Sequence, residues 1–313
     1  MNVLSLFDGM SCGQIALDQL GTPVEKYYAS EIDKYAIQVT QANYPDTIQV
    51  GDVTKLDPKD FADVDLIMGG SPCQGFSFAG KQLAFDDPRS ALFFEFIKLL
   101  KAIKPKYFLL ENVRMKKEFL DIISQEVSKC YPEIAFGIEP ILINSSLMSA
   151  QSRQRYYWTN IPNIQQPEDR GIVLKDILED DYESDRDKSY CIDGNYFKGA
   201  SVEQYKKKSR RQLVSKPKQV GMAADINGHD ILRRVYSPEG KSPCLNAGGG
   251  GNREPKVAQE DLTWRKLTPL ECERLQTVPD NYTNHVSKTQ RYKMLGNGWT
   301  VEVIKHILQS IKT

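Results

Sequence analysis

Val64-Asp65-Leu66-Ile67-Met68-Gly69-Gly70-Ser71-Pro72-Cys73-Gln74-Gly75-Phe76-Ser77 joins a short apolar run to a tight turn that carries one cysteine. The apolar part reads as a buried strand, and the glycines and proline as the turn that ends it. Such a turn sets Cys73 at the carboxyl end of a strand, which is where open α/β sheets bind ligands and carry out chemistry. A second apolar run, Lys106-Tyr107-Phe108-Leu109-Leu110, ends in Glu111-Asn112-Val113. A thiol and a carboxylate at the ends of two successive strands can converge on one small planar substrate.

Outward from these two strands the chain alternates. Strand patterns at Val3–Leu6, Val24–Ser30, Ile48–Val50, Val64–Met68, Phe108–Leu110 and Ala135–Ile143 are separated by helical patterns. The helices are expected at Gly13–Leu20, Asp33–Asn43, about Ser90 to Ile103, and Lys116–Cys130. This β-α-β order predicts a mostly parallel sheet covered by helices. After Pro162 the composition turns polar, with acids at Glu179, Asp180, Asp181, Glu183, Asp185 and Asp187. A basic run (Lys206, Lys207, Lys208, Arg210, Arg211, Lys216, Lys218) and a glycine tract, Gly248 to Gly251, follow. Helical patterns return at Pro269–Gln276 and at Val301–Ile311. The expected organisation is a catalytic domain at 1–162, a small loop-rich and mostly β domain at 163–264, and a returning segment at 265–313. The acidic run reads as a solvated face.

The totals set limits. A chain of 313 residues can hold one large core and a smaller second unit. Its 41 basic and 41 acidic residues cancel, so any grip on a polyanion must come from local patches. No apolar stretch approaches the ~20 residues of a membrane span, and no leader pattern precedes the first strand, so a cytoplasmic protein is expected. Six scattered cysteines without C-x-x-C pairs, with three histidines, suit free thiols in a reducing compartment and no metal site.

The first strand runs into Phe7-Asp8-Gly9-Met10-Ser11-Cys12-Gly13, whose glycines let backbone pass close to a ligand at a helix start. The second ends at Glu31-Ile32, where an acid can hold two ribose hydroxyls or, alternatively, complement a helix dipole. The third ends at Asp52-Val53, where an acid can accept from an adenine amino group. These ends describe an adenosine-shaped site with little provision for a pyrophosphate, which suits S-adenosylmethionine better than a dinucleotide. On the other side, a thiolate adding to C6 of cytosine would activate the weakly nucleophilic C5. A carboxyl at N3 and a guanidinium at O2 would steady the spreading charge. Cys73, Glu111 and one of Arg153 or Arg155 are the candidates, with one arginine expected to face the pocket and the other to support loops.

These pieces resemble the DNA cytosine-5 methyltransferases over nearly the whole chain and in the family's order. The match comprises Phe7-Asp8-Gly9 with Gly13, Glu31, Asp52, Pro72-Cys73-Gln74, Glu111-Asn112-Val113 and Gln151 to Arg155. It continues through Arg265 to Gln276 and ends with Gly296-Asn297-Gly298-Trp299-Thr300-Val301. The resemblance implies a Rossmann-like methyltransferase domain with a seven-stranded, mostly parallel sheet, and a target-recognition domain at 163–264. It implies Cys73 as nucleophile, with Glu111 and Arg155 on a flipped-out cytosine. It also implies S-adenosylmethionine, leaving as S-adenosylhomocysteine, near Phe7, Asp8, Gly9, Gly13, Glu31, Ile32, Asp52, Val53, Pro72, Asn297, Trp299 and Val301. The C-terminal helix is expected to return beside the first strand.

Double-stranded DNA is the implied partner, and the resemblance leaves room for a cognate restriction endonuclease. A monomer is expected rather than a stable oligomer. Gln74, Ser77 and Lys81 fall in the stretch that would close over DNA. Lys206, Lys207, Lys208 and Arg210 could follow phosphates. Cys244 stands in Ser242-Pro243-Cys244-Leu245, where the family usually has Pro-Thr-Leu beside the flipped base. The stretch Met148 to Gln151 and the Trp299-Thr300-Val301 ending are closer to the animal de novo enzymes. Two other readings stay open: a methyltransferase acting on tRNA cytosine, and a catalytically idle DNA-binding protein on the same fold.

Overall fold

The computed structural model describes residues 1–71, 91–179, 184–199, 201, 205, 207–209, 211–215, 235–236, 256–257 and 264–311. Seven strands make the main sheet: β1 (Asn2–Leu6), β2 (Lys26–Ser30), β3 (Ile48–Gln49), β4 (Leu66–Gly70), β5 (Tyr107–Val113), β6 (Ile141–Asn144) and β7 (Gln154–Thr159). Their order across the sheet is β3-β2-β1-β4-β5-β7-β6. The first five run parallel, and β7 is antiparallel to both β5 and β6. The expected mostly parallel α/β sheet is what the chain forms.

Period-two alternation splits the core into two layers. Val3, Met68, Leu109 and Tyr157 enter the apolar cluster on one side of the sheet. Their neighbours Leu4, Ile67, Phe108 and Trp158 enter the cluster on the other. Because both faces are covered, the central strands read as unbroken apolar runs. Helices α1 (Cys12–Gln19) and α2 (Lys34–Asn43) follow β1 and β2, while α3 (Ala91–Ile103) and α4 (Lys117–Ser128) flank β5 in sequence. The side chain of Asp33 caps α2 by accepting from the Tyr35 N–H at 2.9 Å.

After two-residue β9 (Val235–Tyr236) and β10 (Lys256–Val257), β11 (Trp264–Lys266) pairs antiparallel with the earlier β8 (Leu213–Ser215). The chain then runs through α5 (Pro269–Leu275), α6 (Lys288–Asn297) and α7 (Val301–Leu308). Thr268 and Glu271 form a reciprocal capping box at α5, with Pro269 in the first turn. Val301, Ile304 and Leu308 repeat at helical spacing, all buried, and α7 lies against α1. So the C-terminal helix lies in the layer that covers β1.

Three local readings differ from what forms. The expected strand at Ala135–Ile143 is shorter and later, because Gly137 sits at φ 70° and the Ile138 N–H donates to the Ser128 side chain instead of the sheet. Helix α6 carries few apolar positions; its Arg291 is buried by an ion pair with Glu273 at 2.9 Å. Nor are Glu179 and Asp185 of the acidic run simply solvated, while Asp180, Asp181 and Glu183 lie outside the described residues. The Glu179 carboxylate accepts from the Thr268 hydroxyl, and Asp185 accepts from Tyr205 and pairs with Arg186.

Candidate active site

The carboxyl ends of β1, β2, β4 and β5 open into one cleft of about 390 Å³. Phe7, Gly9 and Glu31 line one end of it. Glu111, Arg153 and Arg155 line the other, and Asn297 and Trp299 of the returning segment belong to the same wall. A larger open depression of about 590 Å³, edged by Arg114, Lys117 and Tyr156, contains none of these groups.

The first end is built by a turn in unusual backbone geometry. Phe7, Gly9 and Ser11 all have left-handed φ, at 56°, 59° and 60°. A phenylalanine in that region is uncommon and persists only where its surroundings hold it. Here the Asp8 N–H donates to Ser30 of β2 at 3.1 Å, which ties the turn to the next strand. The Asp8 carboxylate points inward, accepting from the Tyr27 hydroxyl at 2.8 Å and from the Ser11 hydroxyl. Burial there lifts its pKa to about 6. Glu31 then joins the turn to β2: its carboxylate accepts from Gly9 N–H at 2.7 Å and from Ile32 and Asp33 N–H at 2.8 Å each. An acid anchored by three backbone donors is fixed in place at the cleft wall.

The second end depends on strand register. Gly70 of β4 stands opposite Glu111 of β5, and Val113 of β5 stands opposite Arg155 of β7. The buried Glu111 carboxylate meets Arg155 Nε at 2.9 Å and accepts from the Trp299 indole N–H at 3.1 Å. Arg153, two residues earlier and 4% exposed, lies on the same side and also lines the cleft, so the expectation that only one of the two arginines would face it does not hold. Its guanidinium donates to the carbonyls of Ile192, Gly296 and Gly298 at 3.2, 3.2 and 2.9 Å. One arginine serves the carboxylate, and the other ties down the backbone of the returning segment. Gly296 and Gly298 are required by closeness: a Cβ on Gly296 would lie 2.3 Å from the Asp193 backbone.

Other expected residues fall outside the cleft lining. Gly13 packs under it, where a Cβ would meet Met68. Ile32 is 77% exposed beside Glu31, Val53 and Val301 are buried in the core, and Asp52 caps a short helical turn by accepting from Thr54 N–H at 3.0 Å. Those bonds from Thr54 hold the Asp52 carboxyl below its ordinary range. Lys207 and Lys208 are exposed. Pro72, Cys73, Gln74, Ser77, Lys81, Lys206, Arg210 and Cys244 lie outside the described residues. The cleft also takes in residues not expected from the sequence, among them Ser71, Asn112, Gln290, Lys293 and Met294. Cys12 lines it too, but burial pushes that thiol up to about 12, so it is a neutral packing group.

Comparison with known proteins agrees with this architecture. Residues 1–313 match the family model for C-5 cytosine-specific DNA methylase. Type II methyltransferase M1.ScrFI of Lactococcus lactis subsp. cremoris is 31% identical over 330 residues, covering 99% of this chain and 77% of its own. Type II methyltransferase M.NlaX of Neisseria lactamica is 30% identical, with 99% and 96% covered. Type II methyltransferase M.HhaI of Haemophilus parahaemolyticus is 31% identical, with 99% and 94% covered. Among solved structures, Entamoeba histolytica methyltransferase EhMeth superposes with TM-score 0.69 at 17% identity, covering 99% of this chain and 97% of its own. A DNMT2 variant of Spodoptera frugiperda does so with TM-score 0.66 at 22% identity, with 99% and 98% covered. Those last two speak for the fold. The sheet order, the cleft and the full-length family match lead to one assignment: the chain belongs to the C-5 cytosine-specific DNA methylases and is a DNA cytosine-5 methyltransferase.

Proposed function

We propose that the chain transfers a methyl group from S-adenosylmethionine to C5 of a cytosine flipped out of a short, specific duplex sequence, through a covalent bond between Cys73 and C6. The observation that supports this most is the single cleft with Glu31 and the Phe7–Gly9 turn at one end and the Glu111–Arg155 pair at the other. Its volume lies within the ~300–1,000 Å³ usual for small-molecule sites. The residues suit S-adenosylmethionine: a fixed carboxylate for ribose hydroxyls, an apolar ring in Phe7, and Asn297 and Trp299 on the facing wall. When bound there, the cofactor supplies an electrophilic methyl group.

The residues of the chain would do the rest. A base inside a duplex hides C6, so the cytosine must leave the stack before the thiol can reach it. Cys73 stands two residues after Ser71, a residue of the cleft wall. Its thiolate adds to C6, and the electron pair of the C5–C6 bond is pushed onto C5 and shared with N3 and O2. Glu111 and Arg155 meet that charge at N3 and O2. After methylation, loss of the C5 proton and of the sulfur from C6 restores the ring and frees Cys73. The domain at 163–264 would grip phosphates through Lys206, Lys207, Lys208 and Arg210 and read the neighbouring bases, with Gln74, Ser77, Lys81 and Cys244 near the flipped base.

A duplex in which the target base is 5-fluorocytosine tests the covalent step, because fluorine at C5 cannot leave as a proton. With cofactor present, the wild-type chain is expected to form an adduct that survives denaturing electrophoresis, and Cys73→Ala none. No adduct with the wild type, or an equal adduct with the variant, would contradict the proposal.

A further inference from the structure

We propose that Trp299 is a positioning residue for Glu111, acting through its indole N–H, in addition to whatever wall it offers the cofactor. This rests on the reading that Glu111 acts on the base. The two oxygens of the Glu111 carboxylate are held by different donors: Oε1 by Arg155 Nε at 2.9 Å and Oε2 by Trp299 Nε1 at 3.1 Å. Two donors from different directions fix the plane of a carboxylate, which a single ion pair leaves free to rotate. The indole adds this constraint without a second charge, so it does not compete with Arg155 as a cation would.

The surroundings are shaped for that contact. A Cβ on Gly70 would lie 2.7 Å from Glu111 Oε2 and 3.0 Å from Trp299 Nε1, so the wall of β4 closes on the hydrogen bond itself. The main chain on both sides of Trp299 is clamped. The carbonyl of Gly298 accepts from Arg153 Nη2 at 2.9 Å and from Gln276 Nε2 at 3.1 Å. The Thr300 hydroxyl donates to Gln276 Oε1 and accepts from the Ser145 hydroxyl, both at 2.9 Å. Gln276 and Thr300 are buried, so these bonds are shielded from water. Catalytic groups must be held to a fraction of an ångström by such supporting shells, and small misplacements lower rates steeply.

Trp299→Phe tests this, because it keeps an aromatic ring in the wall and removes only the N–H and part of the ring volume. Single-turnover methyl transfer is expected to fall about 10–100-fold, the loss of one hydrogen bond to a charged group. Affinity for S-adenosylmethionine, measured separately by calorimetry, is expected to stay within about twofold. In a Glu111→Ala background the same substitution is expected to add no further loss, since the carboxylate it positions is gone. Wild-type transfer by Trp299→Phe, a loss that tracks cofactor affinity, or an equal loss in both backgrounds would each overturn the proposal. Full activity of Glu111→Ala alone would instead overturn the underlying reading of Glu111.

Discussion

The two ends of the cleft are built in different ways. The end at Phe7, Gly9 and Glu31 is made from short-range pieces: one strand, its turn and the end of the adjacent strand, joined by backbone donors such as Gly9 N–H to Glu31. The end at Glu111 is made from residues far apart in the chain. Arg155 arrives on an antiparallel strand, and Trp299 arrives on a segment 188 residues from Glu111. The first can form as soon as β1 and β2 pair. The second needs β4, β5, β7 and the returning segment all in place, and Arg153 and Gln276 are the side chains that tie that segment down. If the Glu111 carboxylate acts on the base as proposed, its place on the long-range wall makes the chemistry depend on completion of the whole domain.

This contrast can be broken experimentally, and the largest effect is expected at Glu111. Glu111→Gln removes the charge and leaves an isostere. Methyl transfer is expected to fall by about 10²–10⁴-fold, the range for a positioned acid, with cofactor affinity kept. Turnover near wild type would remove Glu111 from the chemistry. At the other end, Glu31→Ala is expected to act on binding: KM for S-adenosylmethionine should rise about 10–100-fold, equivalent to losing a charged hydrogen bond, with a smaller change in kcat. An unchanged KM would leave Glu31 a mere brace of the turn.

Arg153→Met sharpens the comparison from the stability side. It leaves buried carbonyls of Ile192, Gly296 and Gly298 without their guanidinium donor. A loss of about 2–4 kcal/mol in urea unfolding is expected. A loss of less than about 0.5 kcal/mol, the level of an ordinary surface change, would show that the returning segment does not depend on this arginine.

The smallest effect is at Asp8, in the Phe7–Gly9 turn. Its pKa in the folded chain is about 6, above the ordinary 3.8, because of burial. Between those values the folded state holds a proton that the unfolded chain has released. The favourable contribution is therefore fully present below pH 3.8 and is lost as pH rises through about 6. Asp8→Asn cannot titrate, so its stability relative to wild type is expected to improve by about 2 kcal/mol on going from pH 4 to pH 6.5. A difference independent of pH would mean that Asp8 stays charged.

The same contrast explains what could be read from the chain before folding. The parallel strands, the Phe7–Gly9 turn and the acids at 31 and 111 were legible because each is a local pattern: an apolar run, a glycine and a polar residue at a strand end. Two arginines spaced by two share one face of a strand, and both reach the cleft, but only the register of β7 against β5 shows that Arg155 takes the carboxylate. Helix α6 was not legible at all. Its buried side rests on Tyr292, Met294 and Leu295 together with an ion-paired Arg291, a pattern with little apolar periodicity. That helix nevertheless brings Lys293 to the cleft mouth, where it pairs with Asp33 at 2.6 Å across 260 residues. Contacts of that range depend on tertiary placement, and no window of sequence contains them.

The most direct test of the whole account is transfer of labelled methyl from S-adenosylmethionine to plasmid DNA and, in parallel, to tRNA, with bisulfite sequencing of the plasmid. The account predicts label in DNA, confined to the cytosine of one short sequence and absent with Cys73→Ala. Label in tRNA alone, or in neither substrate, would contradict it.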